Sequence, residues 1–186
     1  MYVLVRRRVM WISPRQCPKS GFTFIEMAVS LALLFAAIAP ITYVFTRGLS
    51  VSREMEVNTQ CLILAQDLIE ETLSKNFEET SGSFGREAGE STANRSNYDD
   101  VDDYDRWGPN NAPEYIDGTQ MDGSGSAPDY TFLRRSVIVQ NVSNANFDTV
   151  VPDGSSDFKK IQVTVNTIPN YIVSVTRTLE IVVSNH

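Results

Sequence analysis

From Met27 to Thr46 the chain runs for 20 residues without a charged side chain. An α-helix of that length measures about 30 Å, the thickness of a bilayer's hydrocarbon core, so the segment is expected to span a membrane. Beyond Gly48 the pattern changes. Val51, Met55, Leu62, Ala65, Ile69 and Leu73 recur at spacings of three, four and seven, and Cys61, Leu64 and Leu68 widen the stripe. Arg53, Glu54, Gln60, Asp67, Glu70 and Glu71 form a polar side, so the helix is expected to continue to about residue 77 in amphipathic form. Pro40 and Gly48 fall inside it. Proline removes an amide donor and glycine adds backbone freedom, so each is expected to bend or locally unwind the helix without ending it.

Between residues 78 and 129 aliphatic side chains almost vanish, Val101 and Ile116 excepted, and Gly, Ser, Asn and Asp take their place. Such a segment cannot bury enough apolar surface to form a core of its own. Tyr98, Tyr104 and Trp107 stand among five aspartates, and Tyr115-Ile116 follows a turn-like run from Pro109 to Pro113. These aromatics are expected to pin the loop to its neighbours. Strand-like stretches then follow: Phe132 to Val142 is dense in β-branched residues, Lys160 to Val165 alternates, and Tyr171 to Val183 continues in that style, with turn signals at Pro152-Asp153-Gly154 and Pro169-Asn170. Connections this short favour antiparallel strands. The expected fold class is α+β: a long N-terminal helix, hydrophobic then amphipathic, packed on a C-terminal antiparallel sheet of about three to four strands.

Charge sets an orientation. The first 21 residues hold Arg6, Arg7, Arg8, Arg15 and Lys19 and no acid, which places the start of the apolar span on the cytoplasmic side and the residues beyond Arg47 outside. Removing those five from 16 basic residues leaves 11 against 23 acidic ones, a net charge of −12. That remainder repels phosphate backbones, so no nucleic acid partner is expected unless Arg134, Arg135, Lys159 and Lys160 form a local patch. Glu26 borders the apolar span, where a carboxylate costs about 2.5 to 3.5 kcal/mol and calls for a partner. The cysteines are Cys17 and Cys61, and Cys61 is expected to be a small buried hydrophobe.

Little in the chain points to catalysis. Its one histidine, His186, ends the sequence, which excludes a histidine-based triad or metal cluster. Gly82, Gly85 and Gly89 lie in the polar stretch without the strand and helix that a phosphate-cradling loop needs. Paired aspartates in a mobile loop have no reason to separate their pKa values, so the chain is not expected to be an enzyme. No cofactor is expected. Asp99, Asp100, Asp102, Asp103 and Asp105 admit two readings: a calcium loop, since hard oxygen ligands cluster in this way, or a solvated acidic loop. The central glycine and terminal glutamate of an ordered calcium loop are missing, which favours the second.

Lys19-Ser20-Gly21, followed by Phe22-Thr23-Phe24-Ile25-Glu26 and an apolar helix, resembles the class III signal of type IV prepilins and of the pseudopilins of type II secretion. The resemblance implies that prepilin peptidase cuts after Gly21 and N-methylates Phe22, and that Glu26 pairs with the terminal ammonium of a neighbouring subunit. Met1 or Met10 can open the leader. Pro40 is the nineteenth residue counted from Phe22, earlier than the proline common in that family. The string from Asp99 to Trp107 is similar to a segment of some minor pilins of the mannose-sensitive haemagglutinin type. With this resemblance the chain divides into a cytoplasmic leader (1–21), a transmembrane and assembly helix (22–47), an amphipathic helix of the head (48–77), a polar acidic loop (78–129) and an antiparallel sheet (130–186).

The expected function is that of a structural, minor pilin or pseudopilin subunit. It sits first in the inner membrane with its head in the periplasm, and then in a filament of either a type IV pilus or a type II secretion system. The implied partners are other pilin or pseudopilin subunits, prepilin peptidase, the inner-membrane assembly platform and the membrane. The alternative is a single-pass anchored binding protein with an extracytoplasmic acidic domain.

Overall fold

A computed structural model describes residues 21–78, 84–108 and 112–185. The basic leader before Gly21 lies outside them, as do Gly82, the turn residues Pro109 to Asn111 and His186. The chain forms two compact units, one reaching to Arg47 and one from Gly48 onward.

The first structural element is a helix, α1, Phe24–Leu73, of 50 residues. Thr23 caps it, its hydroxyl accepting from the amide of Glu26 at 3.4 Å and its carbonyl from the amide of Met27 at 3.1 Å. In the first unit this helix is apolar and exposed throughout. It is long and apolar enough to cross a membrane. The helix runs on through Pro40 and Gly48, and neither residue ends it. Pro40 removes one amide donor while the bonds around it persist. One turn on, the Thr42 hydroxyl donates to the Ile38 carbonyl at 2.9 Å.

In the second unit the same helix buries Val57, Cys61, Leu64, Ala65, Leu68 and Thr72. The phase differs from the one expected. Val51, Met55, Leu62 and Leu73 are exposed, and the positions read as the margin of the stripe form its centre. Apolar residues cover so much of this helix's circumference that periodicity alone leaves the buried face open.

The head is α+β, with an antiparallel sheet of four strands: β1, Leu133–Ser143; β2, Asn146–Val150; β3, Phe158–Thr167; and β4, Thr176–Ser184. Their order is β2-β1-β3-β4. Alternation sets the buried face. Leu133, Arg135, Val137, Val139 and Asn141 point inward from β1, and Lys159, Ile161, Val163, Val165 and Thr167 from β3. The register puts Val137 opposite Val163 and Val139 opposite Ile161, while Leu179 and Ile181 of β4 flank the same pair from the other side.

β2 departs from the expected pattern of strands. It pairs with β1 across a register shift at Val142/Ser143, and all five of its residues are exposed, so no alternation marks it. β4 begins later than expected. Residues 171–175 leave the sheet, with Tyr171 stacked on Phe132 at 4.6 Å between ring centroids. The core unites one face of the helix, the inner face of the sheet, and Tyr98, Val101, Tyr104, Trp107 and Met121 from the polar stretch between them.

Candidate functional site

Gly21, Phe22 and Thr23 precede the first helical turn, and Phe22 is exposed. Glu26 lies in that first turn, where the helix dipole favours an acid. A Cβ built on Gly21 meets nothing within 4 Å. Among the described residues, therefore, nothing places a steric demand for glycine at this position. Behind the motif, Phe24, Ile25, Met27, Leu33 and Phe35 expose more than half of their surface.

The second candidate region, the string Asp99 to Asp105, is not a solvated loop. Tyr98, Val101, Tyr104 and Trp107 are buried as the anchors expected of them, and they take Asp100, Asp102 and Asp103 inward with them. These carboxylates hold the backbone. Asp100 Oδ1 accepts from the amides of Asp102 at 2.9 Å and Asp103 at 3.2 Å, and Asp103 Oδ2 accepts from those of Asp99 at 2.9 Å and Asp100 at 3.2 Å. Asp102 pairs with Lys159, whose ammonium also donates to the Phe77 carbonyl at 2.6 Å. Asp105 Oδ1 accepts from the Val139 amide at 3.0 Å, which ties the string to β1. Asp99 is exposed.

Burial, followed by the charges of Asp102 and Asp103, pushes the Asp100 carboxyl up to about 6. Burial also raises Asp103 to about 6, against the amides that stabilise its charged form and with Glu90 adding to the rise. The two carboxyls thus rise together above the ordinary carboxylate range and are not pushed apart. The reason is packing: the aromatics between them draw the string out of water.

Sequence reasoning missed a buried polar assembly of the head. Arg95, fully buried, donates through Nε and Nη2 to both Glu71 oxygens at 2.7 and 3.1 Å, and through Nη1 to Glu114 at 3.2 Å. Its guanidinium lies 4.1 Å from the Trp107 ring centroid. The Tyr104 hydroxyl donates to Glu71 at 2.9 Å, and Arg135 donates to the Glu114 carbonyl. Burial and the charge of Arg95 lower the Arg135 pKa to about 10. The network joins α1, the polar stretch and β1. Removing one charged member leaves its partner buried and uncompensated, which costs about 3–5 kcal/mol. Glu71 and Arg95 are 24 residues apart, so no local spacing announces them.

The basic residues considered as a patch do not form one. Arg135 and Lys159 point into the core, whereas Arg134 and Lys160 point to the other face. Arg134 is opposite Asn166 and Lys160 is opposite Gln140, six positions along the ladder. No family model, curated protein or solved structure matches the chain.

Proposed function

We propose that this chain is a structural subunit of the pilin or pseudopilin kind, a minor one, processed after Gly21 and assembled into a filament through its apolar helix. One observation carries the reading. The KSGFTFIE motif meets the start of a helix that exposes an apolar surface through its first unit and, from Val57 on, packs against an antiparallel sheet. Among the described residues nothing demands a glycine at position 21, which supports a role for it in recognition by the peptidase.

Cleavage creates an ammonium at Phe22. In the filament, Glu26 of one subunit neutralises the Phe22 terminus of the next, so two charges that hydrocarbon disfavours are buried as a pair. A subunit out of register leaves the carboxylate alone. The exposed apolar face passes from lipid to equivalent faces of other subunits, with little change in the apolar surface reaching water.

Mapping the N-terminus of the mature protein by mass spectrometry tests this. The expected result is a chain beginning at N-methylated Phe22. An intact leader on membrane-extracted protein refutes the reading and favours an anchored binding protein.

A further inference from the structure

Glu87, Glu90 and Asp103 bring a carboxylate oxygen each to within 4.8 Å of one another. The approach is built into the backbone. Residues 87–90 close a tight turn, the Glu90 amide donating to the Glu87 carbonyl at 3.2 Å, with Gly89 at φ +115, a conformation other residues rarely adopt. The Glu87 amide then donates to Glu90 Oε2 at 2.8 Å.

This turn is fastened to the aspartate string. Arg86 donates to the Asp103 and Asp105 carbonyls at 2.7 and 2.8 Å, Gly85 donates to Asp102 at 3.3 Å, and Asn97 donates to the Gly89 carbonyl at 3.2 Å. Asp103 is fully buried. Its Oδ2 holds two amides, whereas its Oδ1 is buried without a hydrogen-bond donor, as is Oε2 of Glu87. Among the described residues no ion pair reaches Glu87, Glu90 or Asp103; the nearby Lys159 is committed to Asp102 and Arg86 to carbonyls.

Three carboxylates without a basic partner, two of them with an orphaned oxygen, are held together by other contacts and lack only a positive charge at their centre. From this geometry we infer that Glu87, Glu90 and Asp103 bind a divalent cation of the calcium class. The donors are all hard oxygens, which calcium takes in numbers and geometries that a loop site can satisfy, with water and carbonyls completing the shell. The ion fastens the 84–90 turn to the buried aspartate string and so to β1. The inference stands apart from the proposed function, drawing on it only for the extracytoplasmic setting in which millimolar calcium suits a site of modest affinity.

The test is calorimetric titration of CaCl2 into the full chain in detergent micelles after treatment with EDTA and desalting, with thermal melts in parallel. The expected result is one saturable site per chain and a calcium-dependent rise in melting temperature. In the double variant Glu87→Gln, Glu90→Gln, which leaves the amide contacts of Asp103 in place, affinity falls at least tenfold and the thermal rise disappears. Asp99→Asn, at an exposed neighbour, leaves both unchanged. Absence of saturable binding up to about 10 mM CaCl2, well above the range of weak extracellular sites, overturns the inference. So does unaltered binding in the double variant. N-terminal mapping is indifferent to either outcome.

Discussion

Asp100 and Asp103 belong by composition to a hydrophilic stretch, yet both are buried, and their pKa values near 6 bear on stability. The folded values lie above the ordinary carboxyl value of 3.8, so between about pH 4 and 6 the folded state holds more protons than the unfolded one. Their contribution is therefore greatest below pH 4 and is lost as pH rises through 6. Glu114, also raised by burial, acts in the same direction. Asp117, Asp122 and Asp129, lowered by hydrogen bonds from Thr119, Ser124 and Thr131, act in the opposite sense and only below about pH 4. In EDTA the head is expected to lose several degrees of melting temperature between pH 4.5 and 7, which melts followed by circular dichroism will measure. A flat or rising profile contradicts the assignment. None of this is legible in the residues themselves, because burial is the first cause of both shifts and arises only in the fold, and Lys159 comes from a distant part of the chain.

Among the elements, α1 shows how far periodicity reaches. The existence, length and apolar character of the helix stem from its composition, whereas its buried face is chosen by the sheet. Leu68 is fully buried and Leu62 is 39% exposed, although both belong to the stripe read from the sequence. Leu68→Ala is expected to cost about 2–5 kcal/mol. Leu62→Ala is expected to cost no more than about 1 kcal/mol. Chemical denaturation of the two variants compares them directly, and equal losses contradict the buried face described. β1 and β3 are readable because alternation is strong where one face is covered. β2 is not, since a strand exposed along its whole length imposes no pattern.

For the molecule as a whole, the first unit presents an apolar helix with an acid in its first turn, and the second a packed α+β head. If assembly is the function, their contributions are separable. Glu26→Ala is expected to leave membrane insertion, cleavage after Gly21 and the melting of the head unaltered, since Glu26 lies outside the second unit and is exposed. It is expected to reduce incorporation into sheared filaments severely, as read by immunoblot against co-assembled subunits. Normal incorporation defeats the pairing mechanism while leaving the processing reaction intact.

The residues alone determined the membrane-length helix, the motif ahead of it, the fold class and the anchoring role of Tyr98, Tyr104 and Trp107, because each rests on short-range pattern or on bulk apolarity. Tertiary structure decided which helix face is covered, that Arg95 meets Glu71 and Glu114, and that Glu87 and Glu90 converge on Asp103. Those outcomes join side chains up to tens of residues apart and depend on the free energy of burying charge. That quantity is undefined until the chain has closed around it.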